Sequence, residues 1–509
     1  MQNFFRKYWR ILLLYFVMAV VATFFVLIFS YSTSPIYRGY YSFGGPYDGG
    51  DSMHFQTDGF SWLHGQVPYR DFFDHKGPLI FLINMIGFWL GGGSRYGIVV
   101  LQIIALTITL IFIWKISQLV KRSGLWGWMS ILVTLVFLAA PYNVGNSVQE
   151  YHLPFIIAAM YFIVKYLYAK KQGEHNPWWA ALYGVSIGSC LLLQITDVVP
   201  IAVGVVVIAI LLIRQKLWNN LWQNFLYGLA GFLAILLPFV VYFLICGAFG
   251  DFIYVSVIYN FEYAARMNSW IMGMDGGALA NFIIIYMAFF CGIGATILAF
   301  VRKKWAYAAM LAACCVLETY LFTSGQAYSQ YIVPFIYQIG LFLNEIILFE
   351  HRDEIKNIGF IALISLVASL TYQQCTARLS AVVDQYRHIR AATEITPDFE
   401  PLINRHYGEI QESSLVTFLG EIEAKGLYVR YKIIPHGRFP LIQAWLSQFS
   451  DRVKDEIHGE LENNRAEFLL TTKEDADDKL YGINDILDRY YKLIDSNGKY
   501  RLYRLKEAN

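Results

Sequence analysis

Residues 65–90 read GQVPYRDFFDHKGPLIFLINMIGFWL, and the layout of the whole chain depends on how these residues are placed. The second half, Pro78–Leu90, is apolar and uncharged, but it is only thirteen residues long. A helix needs about seventeen or more residues to cross a bilayer. Gly91, Gly92 and Gly93 end the run. We therefore predict a short helix that lies in the membrane interface and does not span.

The composition predicts a polytopic integral membrane protein. Of the 509 residues, 57% are hydrophobic and only 15% are charged, with a mean hydropathy of +0.43. A soluble protein of this size carries about 25% charged residues. The net charge of +2 does not point to any partner, and because no basic domain is present we do not expect nucleic acid as a partner. The six cysteines show neither a zinc-ligand spacing nor a disulfide framework.

Apolar runs of spanning length predict about eleven transmembrane helices. They fall near residues 11–30, 96–118, 125–141, 152–169, 178–195, 198–213, 222–246, 280–301, 305–322, 330–350 and 356–373. The first run follows a basic start and lacks a small-residue cleavage site, so it is read as an uncleaved span.

Basic residues near the span ends then set the orientation. They are Arg6, Lys7, Arg10, Lys121, Arg122, Lys170, Lys171, Arg214, Lys216, Arg302, Lys303, Lys304, Arg352 and Lys356. With residues 78–90 in the interface, all of these clusters lie on one side, as the positive-inside rule requires. The N-terminus is therefore predicted to be cytoplasmic, and everything after the last span extracytoplasmic.

Two regions follow from this layout. Residues 1–373 form an all-α membrane domain with a long outside loop at 31–95, and residues 374–509 form an extracytoplasmic α/β domain. In the second region, Ser414–Leu419, Tyr428–Ile434 and Glu467–Thr472 are predicted strands, and Asp475–Tyr490 is a predicted helix. Ser496-Asn497-Gly498 predicts a hairpin turn between Tyr491–Ile494 and Tyr500–Leu505.

The outside loop concentrates acidic residues. These are Asp48, Asp51, Asp58, Asp71 and Asp74, and Lys76 follows just before the short apolar helix. Carboxylates beside a membrane can act as general bases or bind a metal, and a lysine suits an anionic headgroup. Most Asp-Gly pairs are only turns, which is the plainer reading. The Asp-His-Lys-Gly-Pro run at the entry to an apolar helix argues against it.

Asp51-Ser52 after the first span, together with GQVPYRDFFDHKGPLIF, resembles the membrane glycosyltransferases of the C-type (GT-C) fold. More narrowly, the run resembles the bacterial branch related to protein O-mannosyltransferases and lipid A aminoarabinose transferases. The resemblance implies a polyprenyl-phosphate-linked sugar as donor, reaction at the outer face of the membrane, and a polysaccharide, lipid or protein acceptor.

The resemblance also implies roles for single residues. Asp51 matches the base that deprotonates the acceptor hydroxyl, and Asp48, three residues earlier, competes for that role. Lys76 matches the basic residue that faces the carrier phosphate, with Asp74 and His75 orienting it. Many C-type enzymes carry a tighter acidic pair where Asp51 is followed by serine here, so a divalent metal is left open and no other cofactor is predicted.

Substrate-binding candidates come from later outside segments. Glu150 in Asn146-Ser147-Val148-Gln149-Glu150-Tyr151-His152 matches the family's second acidic position, and His152 belongs to the same motif. Tyr328, Gln330 and Tyr331 stand at the outer start of a predicted span, where an aromatic belt is the plainer reading of Tyr331. Arg266 is a candidate phosphate clamp, against the plainer reading of a surface arginine.

Two other classes of membrane protein share parts of this pattern. A transporter or flippase carries ionisable residues inside its spans, and a polysaccharide polymerase has a similar number of spans. Here the ionisable residues near spans are few: Asp197 is predicted to cap a turn, and Glu318 and Glu345 are predicted to reach water from span ends. The acidic outside loop therefore favours the enzyme.

Overall fold

The computed structural model describes residues 2–37, 50–120, 123–139, 141–142, 145–169, 172–266, 276–324, 331, 333–334, 336–348, 376, 380, 383, 399–418, 426–440, 449–473 and 483–506. Within these ranges the chain is mainly helical and carries one small sheet near its C-terminus. This agrees with the predicted fold class of a helical membrane region followed by an α/β region.

The first part of the chain is helical throughout its described elements. These are α1 (Gln2–Phe29), α2 (Gly50–Leu63), α3 (Pro78–Leu90), α4 (Tyr96–Val120), α5 (Gly124–Leu138), α6 (Val148–Leu167), α7 (Pro177–Leu191), α8 (Val199–Arg214), α9 (Trp218–Ile245), α10 (Phe249–Ile253), α11 (Tyr259–Arg266), α12 (Gly276–Val301), α13 (Trp305–Ser324) and α14 (Ile336–Leu348). A 3₁₀ turn, Ile195–Val198, precedes α8, and a π-helical turn, Tyr254–Ile258, joins α10 to α11.

Each predicted span from 11–30 to 330–350 coincides with one of these helices. Among the described residues, four segments are long and apolar enough to cross a membrane: Tyr8–Phe29, Tyr96–Leu119, Ile195–Arg214 and Trp218–Ile245. The protein is therefore an integral membrane protein. The total of about eleven spans stays a prediction, and the run 356–373 lies outside the described residues.

The short helix α3 forms where it was predicted. Gly77 precedes it in an extended conformation, and Pro78 takes the first helical position, where its missing N–H costs nothing. Gly92 and Gly93, with φ of 60° and 84°, end it in a conformation that side chains disfavour. Its thirteen residues match the predicted bounds, and its place in the membrane interface stays a prediction.

The chain divides into two compact units, each built from three stretches. The membrane unit comprises Met1–Ser30, Val100–Phe239 and Asn268–Val382. The loop unit comprises Tyr31–Val99, Val240–Met267 and Val383–Asn509. The predicted domain boundary at residues 373 and 374 lies outside the described residues and stays a prediction.

Within the loop unit, α2 and α3 pack closely. A Cβ on Gly59 would lie 2.5 Å from Cβ of Asn84, so only glycine lets the two helices approach this far. Phe60 and Phe88 pack edge to face beside Ile98 and Val429, with ring centroids 5.8 Å apart. This packing joins the C-terminal halves of α2 and α3.

The C-terminal part of the loop unit is a mixed sheet with helices. After α14 the elements are α15 (Glu400–Gln411), β1 (Leu415–Phe418), α16 (Leu427–Tyr431), α17 (Asp451–Asn463), β2 (Phe468–Thr472), α18 (Ile483–Tyr490), β3 (Tyr491–Ser496) and β4 (Tyr500–Leu505). The strand order is β1-β2-β4-β3, with β1 and β2 parallel and the other pairs antiparallel. The predicted terminal hairpin is confirmed.

One predicted strand is wrong. Residues predicted as the strand Tyr428–Ile434 form the short helix α16, which ends at Lys432 in a left-handed conformation with φ of 53°. The Tyr428 hydroxyl donates to the Pro440 carbonyl at 2.7 Å, which places that ring inside the domain core. Burial of the tyrosine outweighed the weak strand preference of the segment. The predicted helix Asp475–Tyr490 is confirmed only from Ile483, since residues 474–482 lie outside the described ranges.

The positive-inside rule predicts the orientation of the termini, and this prediction can be measured directly. Tags at Gly173 and Lys303 are expected to report the cytoplasmic side, and a tag at the C-terminus the outer side. Paired reporters that are active on only one side of the membrane make this measurement. A cytoplasmic C-terminus would contradict the eleven-span layout and would make Pro78–Leu90 a spanning segment.

Candidate active site

The polar face of α2 is set by helical spacing. Asp51, His54 and Asp58 stand at positions i, i+3 and i+7, which place all three side chains on one face of the helix. Asp51 is exposed in the first turn, His54 is half-buried, and Asp58 is only 7% exposed. The face thus runs from solvent into the protein interior over two turns.

Tyr69 braces the segment between α2 and α3. Its backbone is left-handed, with φ of 70°, a conformation that costs a non-glycine residue about 1–3 kcal/mol. Its fully buried hydroxyl donates to the Lys76 carbonyl at 2.7 Å, and the Val67 N–H donates to Asp71 at 2.7 Å. The strained turn therefore sets the position of the Lys76 backbone directly.

Asp74, His75 and Lys76 form a tight turn at the N-terminal end of α3. The Lys76 N–H donates to Oδ1 of Asp74 at 2.9 Å, and Nδ2 of Asn260 donates to the His75 carbonyl at 2.7 Å. The His75 ring stacks on Tyr263, with centroids 5.6 Å apart. Burial, together with the charges of Lys76 and His54, holds the pKa of His75 well below its usual value. His75 is therefore neutral and Lys76 supplies the cation of the turn.

Asp58 and Asp74 form a buried carboxyl pair between α2 and this turn. Burial and then the neighbouring Asp74 carboxylate raise the pKa of Asp58 well above its ordinary range. Burial also raises the pKa of Asp74 to about 6, against the opposing effects of the Lys76 N–H and ammonium. Oδ2 of Asp58 is buried without a hydrogen-bond partner among the described residues. One proton is therefore retained by the pair near neutral pH.

This pair makes stability depend on pH. Because folding raises both pKa values above the usual 3.9 or so, the native state binds more protons, and stability falls as pH rises through about 6. The variant Asp58→Asn removes the carboxyl that is costlier to ionise. We expect it to melt about 2–4 °C higher than wild type at pH 8 and equally at pH 4.5, measured by intrinsic fluorescence. Parallel pH profiles for wild type and Asp58→Asn would contradict the pairing, and the exposed Asp485→Asn is the control.

Asp58 is one of the acidic residues of the loop, but the sequence analysis gives it no role in the site. Its seven-residue spacing from Asp51 is the feature that could have indicated one. That spacing needs α2 to be helical, and residues 31–95 carried no helix prediction before residue 78. Asn260 and Tyr263 were also missed, because they lie far from residue 75 in the sequence and reach it only in the folded unit.

Three predicted site residues, Asp48, Tyr328 and Gln330, lie outside the described residues. Arg266 is the last residue of α11, and Tyr331 is half-buried in the membrane unit. Within the described part of the chain, no group of three or more His, Cys, Asp or Glu side chains has an arrangement that could hold a metal ion.

Glu150 is the centre of a buried hydrogen-bonded cluster in the membrane unit. Nε2 of Gln102 donates to its Oε2 at 3.0 Å, the Asn146 N–H donates to Oε2 at 2.8 Å, and the Tyr142 hydroxyl makes a short bond to Oε1. Ser147 caps α6 by accepting from the Glu150 N–H. Glu150 is only 4% exposed, so protein groups and not bulk solvent surround its carboxylate.

His152 and Asp197 form a second buried pair in the membrane unit. Nδ1 of His152 lies 2.5 Å from Oδ2 of Asp197, and the Gln194 N–H donates to Nε2 at 3.3 Å. Since Nε2 accepts, the ring proton is on Nδ1 and points at the carboxylate. Asp197 thus lies in the 3₁₀ turn before α8, as predicted, and also orients His152.

The prediction that Glu318 and Glu345 reach water is wrong. Glu318 is 5% exposed and accepts hydrogen bonds from the Tyr337 hydroxyl and the Gln338 amide. The Glu345 side chain is fully buried and pairs with Arg302 at 2.8 Å. Groups from neighbouring helices bind the Glu318 carboxylate and Oε2 of Glu345, and both side chains are buried. Oε1 of Glu345 is buried without a hydrogen-bond partner among the described residues.

With this geometry in place, the chain can be compared with known proteins. A family model described as the competence-induced Ccs4 N-terminal domain matches residues 18–357, about two thirds of the chain. The chain belongs to this family. The matched region of this Ccs4-family protein contains α2, α3 and the Asp74–Lys76 turn. No protein of curated function matches the sequence significantly.

The Ccs4-family protein is also similar to solved structures. Crystal structures of ArnT, the lipid A aminoarabinose transferase, from Cupriavidus metallidurans superpose with a TM-score of 0.56 when bound to undecaprenyl phosphate and 0.52 in the apo state. In both cases the identity is 12%, and 97% of each chain is covered. At this identity the likeness shows the fold, which is the GT-C fold of membrane glycosyltransferases. The resemblance found in the sequence is thereby confirmed for the fold.

Proposed function

We propose that this protein is a glycosyltransferase that moves a sugar from a polyprenyl-phosphate carrier to an acceptor on the outer face of the membrane. One observation carries the proposal: in a GT-C fold, the acidic face of α2 and the His75-Lys76 turn meet at the N-terminal end of an interfacial-length helix. A solved structure of the same fold, ArnT, holds undecaprenyl phosphate, which supports a carrier of that class.

The proposed reaction needs two groups. Asp51, exposed in the first turn of α2, takes the proton from the acceptor hydroxyl, and the oxygen attacks the anomeric carbon of the sugar. The bond from that carbon to the phosphate oxygen breaks, and polyprenyl phosphate leaves with the electron pair. Lys76 neutralises the charge that develops on the phosphate. Attack opposite to the leaving group inverts the anomeric centre.

The surrounding residues supply the rigidity that such a site needs. Asp74 accepts the Lys76 N–H, and Tyr69 donates to the Lys76 carbonyl, so both peptide groups of the lysine are held. Neutral His75 adds no second positive charge beside the phosphate and packs on Tyr263. In this proposal Asp58, Asp74, His75 and Tyr69 are positioning residues, and Asp51 and Lys76 are the catalytic ones.

The proposal also includes substrate-binding residues, which are Glu150, His152, Tyr328, Gln330 and Tyr331. Arg266 is proposed to bind the donor phosphate, and Asp48 is the competing candidate for the base. Glu150 and His152 have preorganised hydrogen-bond networks, which is the property a binding side chain requires. The carboxylates of the loop are oxygen ligands of the class that divalent ions such as Mg²⁺ and Ca²⁺ prefer, but the proposed reaction needs only Asp51 and Lys76.

A deletion strain tests the function without knowledge of the sugar. Loss of the enzyme is expected to raise one polyprenyl-phosphate sugar in lipid extracts and to remove one sugar from a surface polysaccharide, lipid or protein. Mass spectrometry of both fractions identifies the sugar and the acceptor together. Complementation with wild type restores both, and an Asp51→Asn gene does not. Unchanged lipid-linked sugars and unchanged surface glycans would contradict the proposal.

A transporter or flippase is the second candidate, and buried Glu318 is the observation that favours it. Ionisable side chains inside spans commonly mark transport pathways. The two classes differ in a simple requirement, because a transferase turns over in detergent, whereas transport needs two compartments. Sugar transfer by detergent-solubilised protein therefore supports the enzyme. Movement of the lipid-linked sugar across sealed vesicles, without transfer, would support the flippase.

A further inference from the structure

A cavity of about 340 Å³ lies between α7, α8 and α9 in the membrane unit. Its walls are almost entirely apolar. The residues that line it include Tyr183, Gly184, Ala209, Leu212, Leu221 and Gly228. The volume falls in the range of about 300–1,000 Å³ that is typical of ligand sites. It is distinct from the Asp74–Lys76 turn, which belongs to the loop unit.

The cavity arises from the way α7 and α9 pack. A Cβ on Gly184 would lie 1.9 Å from the Gly228 carbonyl oxygen, and one on Gly231 would lie 2.0 Å from the Ala181 carbonyl oxygen. The two backbones therefore touch without side chains between them. The cavity lies beside this contact, and residues of α8 such as Ala209 and Leu212 also line it.

The polar groups at one end of the cavity are already paired. Nδ1 of His175 donates to Oδ1 of Asn224 at 2.6 Å, and the Tyr183 hydroxyl donates to Nε2 at 3.1 Å. Asn220 accepts the His175 N–H at 2.8 Å and donates to its carbonyl at 2.9 Å. Because these groups satisfy one another, the cavity offers a ligand an apolar surface and suits a hydrocarbon chain.

Basic and aromatic residues lie close in sequence to the lining residues Leu212 and Leu221, at one end of the cavity. Arg214 and Lys216, both exposed, follow the lining residue Leu212 by two and four positions. The N-termini of α7 and α9 begin at the same end, and their backbone N–H groups favour an anion. Trp178 is 71% exposed and Trp222 is 59% exposed beside them, as at a lipid headgroup boundary.

From this arrangement we propose that an anionic phospholipid occupies the site, with one acyl chain in the cavity and its phosphate at Arg214 and Lys216. The occupant is a lipid because the walls are apolar in an integral membrane protein. It is anionic because two exposed cations and two helix N-termini lie near the Leu212 end of the cavity. This inference concerns a structural lipid and is independent of the proposed sugar transfer.

Ala209→Phe tests the chain-binding part, because it places a ring inside the cavity. Its matched control is Ile210→Phe, the next residue of α8, which is 49% exposed and does not line the cavity. Native mass spectrometry of protein purified with phosphatidylglycerol is expected to show about tenfold less retained lipid in Ala209→Phe than in Ile210→Phe. Gly228→Leu fills the same space and keeps the test valid if Ala209→Phe fails to fold, since a Cβ there meets only Ala180 O at 3.5 Å.

The headgroup part is tested by the double variant Arg214→Gln, Lys216→Gln. Wild type is expected to prefer phosphatidylglycerol to phosphatidylcholine about tenfold, and the double variant to lose the preference. Equal retention by a folded cavity-filling variant and by Ile210→Phe would overturn the proposal, as would equal binding of the two lipids by wild type. Displacement of phosphatidylglycerol by an equal concentration of undecaprenyl phosphate would assign the cavity to the carrier and also overturn it.

Discussion

Replacing Asp51 with asparagine is expected to slow sugar transfer by about 10²–10⁴-fold, the usual contribution of a general base. The amide keeps the size of the side chain but cannot take a proton from the acceptor hydroxyl. Asp51 is exposed in the first turn of α2, so its loss removes a helix-dipole interaction of about 0.3–1 kcal/mol. It also removes a charge that raises the pKa of Asp74. Initial rates with purified protein should therefore show a lower kcat with an unchanged KM for the donor.

One further variant decides what an active Asp51→Asn would mean. Asp48→Asn is the matched comparison, because Asp48 is the competing base in the same segment. An active Asp51→Asn together with an inactive Asp48→Asn would move the base to Asp48. Full activity in both variants would show that the loop is not catalytic. Thermal unfolding of each variant, measured in parallel, separates loss of chemistry from loss of fold.

Lys76→Ala is expected to weaken binding of undecaprenyl phosphate by about 10–100-fold. An ammonium about 4 Å from a phosphate contributes several kcal/mol near a protein surface, of which desolvation cancels a part. Lys76→Arg should restore some of the affinity, since the charge remains and the donor geometry changes. Isothermal titration with undecaprenyl phosphate, and with undecaprenol as the uncharged comparison, measures the phosphate contribution alone.

The control for this prediction is Lys473→Ala, which removes an exposed lysine at the end of β2 in the same unit. It should bind undecaprenyl phosphate as wild type does. If Lys76→Ala also binds as wild type does, with unchanged turnover, Lys76 is an interfacial anchor that extends toward water. That outcome would remove the strongest residue from the glycosyltransferase proposal.

Several features of the protein follow from its sequence alone because they depend on local pattern. The apolar runs predict the membrane class, since length and lack of charge are enough for that conclusion. The thirteen residues between Gly77 and Gly91 predict α3, and Asn497-Gly498 predicts the β3–β4 hairpin. The Asp-His-Lys-Gly-Pro run also indicated where the polar turn would lie, because it is contiguous in the chain.

Only the tertiary structure decides which distant groups meet and which of them lose water. Asp58 pairs with Asp74 through packing between α2 and the turn, and this burial raises the pKa values of both carboxyls. Asn260 reaches the His75 carbonyl from far along the chain. Residues 428–434 were predicted as a strand, yet α16 forms there because burial of Tyr428 in the domain core outweighs local preference. These outcomes depend on long-range packing and desolvation, and no local pattern of residues encodes either.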